Sequence, residues 1–374
     1  MTVRVLYVDH ADLLGGAEQC LLLLLRGLDR RRYAPLLACN EDSPLRQAAA
    51  EAGVPVHTIE MGRLRGRRNP FSLLGVWARG VAGLRRLIRA QRVDIVHSNT
   101  LRASLYAAPA ARLTPAALVW HVHDIHRERL YAWAMARLAD RIIAVSQATA
   151  RPLPPASWRK LRVIPNGVDL ERFAPNPAWR QATRAAWGAS DDEIWIGAMS
   201  WLAPWKQTEL FLEMAERLSA RAPNCRFVVV GGEAHPSHAE YVAGLRRRAA
   251  ATLGERCLFL GPRTDAPQVL AGLDILAHTS RAEPFGRVLI EAMALEKPVV
   301  AFADGGAPEI IIEGETGRLI PPGDTARMAE AVAELAGDAA LRRRMGQAGR
   351  RRALAEYSAA AMAQRVQDVY EGLA

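Results

Sequence analysis

The sequence predicts an α/β protein of two domains, each a parallel β-sheet covered by helices. Three observations carry this expectation. Short runs rich in Val and Ile alternate along the whole chain with longer stretches of helical periodicity, the pattern of repeated βα units. The 374 residues exceed what one core usually organises and fit two domains of about 150–200 residues. Near the middle, VIPNGVDLERFAPNP, from Val163 to Pro177, is punctuated by Pro165, Asn166, Gly167, Pro175 and Pro177, after which a new βα series begins.

In the first half, strands are expected at Val3–Val8, Ala34–Ala38, Val54–Ile59, Ile95–Ser98, Ala117–His121, Arg141–Val145 and Leu161–Ile164. In the second half they are expected at Trp195–Ala198, Arg226–Val230, Cys257–Leu260, Ile275–His278 and Pro298–Phe302. The boundary is placed near Asp169, giving domains 1–168 and 169–355. Residues 356–374, with Tyr357, Met362, Val366, Val369 and Tyr370 on one apolar stripe, form a terminal helix that must dock on a core.

The net charge is +10, and it is unevenly spread. Residues 61–92 contain nine arginines and no Asp or Glu, with apolar residues from Leu73 to Ile88 at roughly helical spacing. A basic amphipathic helix suits an anionic lipid surface or an acidic substrate; it equally suits a packed surface helix. No nucleic-acid motif accompanies the charge, so nucleic acid is not expected as a partner. The four cysteines lack CxxC spacing, which fits a reduced cytosol and neither zinc nor a disulfide framework. CLLLLLRGL is far shorter than the ~20 apolar residues that span a bilayer, so membrane contact is expected to be peripheral, at the inner face.

Four stretches carry chemistry. DLLGGAEQC sets Gly15 and Gly16 between the first strand and first helix, where glycines let the backbone approach an anion or simply make a tight turn. LVWHVHDIH places His121, His123, Asp124 and His126 at the end of a strand, the edge that faces ligands in such sheets. A histidine there can move a proton, donate to an oxyanion, or serve structure alone; the spacing of 121 and 123 does not by itself dismiss a metal. Lys206, in MSWLAPWKQTEL, opens a helix where an ammonium can neutralise phosphate.

In RAEPFGRVLIEAMA, Pro284 and Gly286 start a helix whose N–H groups near Phe285, Gly286 and Arg287 can hold an anion. Glu283 stands at its edge as an acceptor for hydroxyls, and Glu291 lies further in on an otherwise apolar face. A vicinal diol such as a ribose would satisfy Glu291. The alternatives are a helix-dipole role for Glu283 and a buried ion pair for Glu291.

These stretches, in order, resemble the retaining glycosyltransferases of family 4, which have the GT-B architecture of two Rossmann-like domains facing a central cleft. LGGAEQ resembles the family's N-terminal Gly-Gly loop, HVHD its acceptor-side histidine, VIPNGVDLERFAP its interdomain signature and EPFGRVLIE its Glu-x7-Glu motif. FADGGAPEII and ETGRLIPPGD resemble the segments that follow. The resemblance implies a nucleoside-diphosphate sugar held by the C-terminal domain, an acceptor on the N-terminal one, and a terminal helix crossing back. It implies that Glu283 meets donor-sugar hydroxyls, that the 285–287 amides, with Gly15 and Gly16, serve the donor, and that Glu291 holds the ribose. Lys206 matches the phosphate-binding lysine, and His123, or His121, the histidine lining the reaction centre, with Asp124 beside them on the acceptor side. Where the family usually carries an arginine, this sequence has Trp201, so either another arginine, such as Arg263 or Arg287, supplies the second cation or donor binding is weakened.

The expected activity is transfer of a sugar to an acceptor hydroxyl in glycan, glycolipid or natural-product synthesis, with retention and with no metal or other cofactor. A sugar-nucleotide epimerase, a phosphorylase and a non-catalytic nucleotide-sugar-binding subunit share the architecture and remain as alternatives.

Overall fold

The structure, a computed structural model, describes residues 2–62, 70–126 and 128–373. Arg63, Arg65, Arg67 and Arg68 of the expected basic segment lie outside the described residues. The chain divides into two compact units, Met1–Gly167 with Ala359–Ala374, and Val168–Ser358. The first crossing thus falls between Gly167 and Val168, one residue before the boundary expected at Asp169. The return falls after Ser358, where 356 was expected.

The first unit holds a seven-stranded parallel sheet of β1 (Val3–Val8), β2 (Tyr33–Cys39), β3 (Val56–Thr58), β4 (Ile95–Ser98), β5 (Ala117–Val122), β6 (Arg141–Ala144) and β7 (Leu161–Val163). The order is β3-β2-β1-β4-β5-β6-β7. Successive residues of a strand point to opposite faces, and β1 shows why both are covered. Leu6 and Val8 enter a core with Val96, Trp120 and the helices Pro70–Ala90, Leu101–Arg112 and Arg129–Leu138. Val5 and Tyr7 enter the opposite core, with Ile95, Val119, the helix Gly16–Gly27 and the terminal helix Ala359–Glu371. Those last two helices pack so closely that a Cβ on Gly27 would stand 2.7 Å from the Cβ of Ala363.

The second unit holds a six-stranded parallel sheet, order β10-β9-β8-β11-β12-β13. Its strands are β8 (Ile194–Met199), β9 (Cys225–Val230), β10 (Cys257–Gly261), β11 (Ile275–His278), β12 (Val299–Phe302) and β13 (Gly317–Ile320). Strand β13 was not expected, because GRLI is only four residues long between Thr316 and Pro321. Pairing with β12 fixes it.

Each sheet therefore reverses direction once, between β1 and β4 in the first unit and between β8 and β11 in the second. Loops leaving the carboxyl ends of two such strands diverge and open a crevice, which is where open α/β sheets bind ligands.

The helix Pro70–Ala90 answers the question of the basic segment's apolar face. Val81, Leu84 and Ile88 are buried in the first core and Val76 is buried as well, so packing consumes most of the stripe, while Leu74 stays 59% exposed. Arg79, Arg86, Arg89 and Arg92 point outward. No helix among the described residues is long and apolar enough to cross a membrane. All four cysteines are free thiols.

Candidate functional site

Residues at the two reversal points form two clusters, one in each unit. In the second unit, the loop after β8 turns through Pro204–Lys206, a single 3-10 turn, and Gln207 takes the left-handed conformation at φ 51°. The following helix starts at Thr208, so Lys206 sits ahead of the helix it was expected to open. The loop after β11 is stitched to this one, since Arg281 N donates to Trp205 O at 2.8 Å and Thr279 Oγ1 to Lys206 O at 3.1 Å. That stitching brings Lys206 Nζ to 2.5 Å from Glu283 Oε2, with His278 Nε2 3.4 Å from the same oxygen. Burial alone would raise the Glu283 carboxyl; the charge of Lys206, with the His278 ring beside it, overcomes this and holds the group below the usual carboxylate range.

The backbone around Glu283 is strained and buttressed. Ala282 has φ 49°, a conformation non-glycine residues rarely hold, and its N–H donates to Asp304 Oδ2 at 2.8 Å. Gly306 N donates to Glu283 O at 2.8 Å, and a Cβ on Gly305 would come within 2.0 Å of that oxygen. The Gly-Gly pair of FADGGAPEII is thus the wall against which Glu283 is set.

Gly286, at φ 99°, caps the helix Arg287–Ala294. Phe285 is buried, and its ring meets Tyr357 edge-on at 6.1 Å, so its part toward any ligand is limited to its backbone. Glu291 is paired: Arg287 reaches it one turn away at 3.0 Å, with both side chains largely buried. The ion-pair alternative for Glu291 therefore describes this structure, and a diol would have to share the carboxylate with Arg287. Arg263 is gripped by Asp265 through two hydrogen bonds of 2.8 and 2.6 Å at the surface. Trp201 is 36 % exposed.

In the first unit the cluster is polar, buried and largely uncharged. Gly15 precedes the helix Gly16–Gly27, and its N–H donates to Glu18 Oε2 at 2.8 Å. Burial, with Asp9 nearby, pushes the Glu18 carboxyl up to about 7, and burial raises Asp9 as well. His121 is buried, His123 half-buried and Asp124 exposed. The rings of His121 and His123 lie 4.0 Å apart between centroids.

Behind them runs a chain of hydrogen bonds. His121 Nδ1 meets His97 Nε2 at 3.0 Å, His97 Nδ1 meets Tyr370 Oη at 2.6 Å, and Tyr370 Oη donates to Tyr7 Oη at 3.0 Å. Burial drives His97 down to about 3 and His121 well below the ordinary histidine value, so both rings are neutral. His126 stacks on Trp120 at 5.6 Å and belongs to the core. Among the described residues no group of three or more His, Cys, Asp or Glu is arranged to hold a metal.

The residues that sequence reasoning missed are Asp9, Glu18, His97, Asn99, His278 and Tyr370. Asp9 and Asn99 directly follow β1 and β4, and His278 ends β11. The rule that carboxyl ends of strands face ligands would have flagged all three. His97 and Tyr370 had no such signal, because their role arises from packing across 273 positions of sequence.

Comparison with known proteins fits this geometry. The model for Glycosyltransferase Family 4 matches residues 14–172, and that for Glycosyl transferases group 1 matches 180–352. A D-inositol 3-phosphate glycosyltransferase of Nocardia farcinica is 32% identical over 263 residues, 68% of this chain and 56% of the relative. The chain spans about half the length of the D-inositol 3-phosphate glycosyltransferases it matches. A GDP-mannose-dependent alpha-(1-6)-phosphatidylinositol monomannoside mannosyltransferase of Mycolicibacterium smegmatis is 29% identical over 307 residues, 77% of this chain and 78% of the relative. Among solved structures, Anabaena Alr3699/HepE in complex with UDP-glucose superposes with a TM-score of 0.85 at 27% identity, covering 99% of both chains. With its motifs in order, a parallel sheet with one reversal point in each unit, and family models matched in both halves, the chain belongs to the glycosyltransferases of family 4, with the GT-B fold.

Proposed function

We propose that the chain transfers a sugar from a nucleoside-diphosphate sugar to an acceptor hydroxyl, with retention at the anomeric carbon and without a metal ion. The carrying observation is the Lys206–Glu283 pair at the reversal point of the second sheet. Without donor, the ammonium neutralises a buried carboxylate. A diphosphate offers the ammonium a stronger anion, which leaves Glu283 to accept hydroxyls of the donor sugar. Because its pKa is held low, it remains an acceptor.

Charge that grows on the leaving phosphate would be met by Lys206 and by the N–H groups ahead of the helix Arg287–Ala294. Glu291 and Arg287 would take the ribose and a phosphate oxygen between them. With Glu283 accepting hydroxyls of the donor sugar, no carboxylate is assigned to attack on carbon, so displacement on the same face, guided by the departing phosphate, is the favoured course. On the first unit, His123 would line the acceptor side, with His121 behind it. Arg79, Arg86, Arg89 and Arg92 would make a peripheral, purely electrostatic contact with the anionic inner face of a cell membrane or with an anionic acceptor.

UDP-glucose is bound by Anabaena HepE, and GDP-mannose dependence is named for the mycobacterial relative, so these are the first donors to try. Thermal shift over a donor panel identifies the base. Turnover in the presence of EDTA, followed by NMR of the anomeric coupling in the product, tests the rest. Only inverted product refutes retention, and activity abolished by EDTA and restored by a divalent cation refutes independence from metal. Trp201 motivates a second reading, a nucleotide-sugar-binding subunit without catalysis. Donor-induced stabilisation with no turnover of any donor would favour it.

A further inference from the structure

We propose that Asn99, oriented by Asp9, is a positioning residue that fixes the tautomer and the ring orientation of His123. This rests on the reading of His123 as the histidine on the reaction side. The geometry begins with the strands. β1 and β4 are neighbours at the reversal point, Asp9 and Asn99 are the first residues beyond them, and Asn99 N donates to Val8 O at 3.0 Å. The two side chains therefore leave the sheet edge side by side, and both are buried.

Asn99 Nδ2 donates to Asp9 Oδ2 at 2.8 Å and has the carbonyl oxygen of Ala17 at 3.5 Å. A backbone carbonyl can only accept, and Asp9 Oδ1 is held by Ala11 N at 2.7 Å, which turns Oδ2 to the amide. Turning the amide over would set its oxygen against the Ala17 carbonyl, and against Oδ2 of Asp9 wherever that carboxyl is ionised. The amide oxygen is thereby presented to His123, whose Nε2 stands 3.1 Å away.

An amide oxygen also only accepts, so Nε2 carries a proton, and in the neutral ring the lone pair lies at Nδ1. Any proton that the neutral ring accepts goes to Nδ1. The ring of His121, 4.0 Å away, limits rotation about the side chain, so the two constraints fix both which nitrogen is basic and where it points. Partners that orient a functional histidine in this way typically change activity by about 10–100-fold when removed, as established for metal-bound rings.

The test uses the full chain labelled with 15N-histidine and long-range 1H–15N spectra, with His123→Asn identifying the resonance. The wild type is expected to show His123 protonated at Nε2. In Asn99→Leu the ring is expected to populate both tautomers, and turnover of UDP-glucose or GDP-mannose to fall about tenfold with the donor KM changed less than twofold. An Nδ1-protonated ring in the wild type, or an unchanged His123 signal in folded Asn99→Leu, overturns the proposal. Should Asn99→Leu fail to fold, the isosteric Asp9→Asn replaces it, and an unaltered ring signal there counts against the proposal in the same way. If the wild type turns over neither donor, the functional reading is what fails, and the tautomer measurement still decides the role of Asn99.

Discussion

The two units place polar side chains at the same point of the same kind of sheet, yet bury them by opposite means. At β8 and β11 the groups are charged and paired: Lys206 with Glu283, and Arg287 with Glu291. At β1 and β4 they are driven toward neutrality, with His97 near 3, His121 well below its usual value and Glu18 near 7. Counter-charge within reach keeps an ion ionised; its absence leaves hydrogen bonds and a shifted pKa as the way to avoid a bare buried charge. The paired cluster suits anionic phosphates, and the neutral one suits hydroxyls.

Breaking the pair should have the largest effect. Lys206→Ala strands Glu283 with only His278, and the second unit is expected to lose about 3 kcal/mol, read by denaturant unfolding. The stability that the pair gives the wild type is full above pH 4.5, the ordinary carboxyl value, and is lost as pH falls toward the depressed folded value, so the deficit shrinks over that range. Glu283→Gln leaves Lys206 half-satisfied and is expected to lower kcat by about 100-fold or more with a smaller change in donor KM, read by steady-state kinetics.

The neutral cluster should respond with the opposite sign. Ionised Glu18 costs the native state stability, since its folded value of about 7 lies above 4.5. The cost is absent below pH 4.5, grows as pH rises and is complete above 7, so Glu18→Gln should stabilise the first unit by about 2 kcal/mol near pH 8 and by nothing near pH 4.5. Hydrogen exchange of segments 3–8 and 95–98 at the two pH values would show it, and equal protection at both would break the comparison. Smallest of all, reversing Arg79, Arg86 and Arg89 to Glu should change stability by about 0.5 kcal/mol or less, while abolishing low-salt binding to anionic vesicles if the arginine face makes the proposed contact.

Both sheets were legible in the sequence because parallel strands buried on two faces read as continuous apolar runs. Strand β13 was missed because GRLI is too short and too mixed to announce itself. The places of Lys206, Glu283, His123 and the Gly-Gly loop at strand ends were legible because each lies in a motif next to a strand. Tyr357 misled: it was read as part of the terminal stripe, but its hydroxyl donates to Glu309 O at 3.1 Å in the second unit. Local periodicity could not show this, since the helix begins two residues later, at Ala359. Asn99, His97 and Tyr370 gain their meaning only from partners far away in sequence, and no spacing rule reaches that distance.

The discontinuity of the first unit has a consequence for how the protein is made. Its second core needs Met362, Val366 and Tyr370, which leave the ribosome only after all of residues 168–358. Domains usually fold in the order in which they are synthesised. Here the nascent first sheet must wait with Val5, Tyr7 and Leu21 uncovered by that helix while the second unit is completed. The segment made first is therefore the one finished last, and until then it exposes the apolar surface that the terminal helix covers.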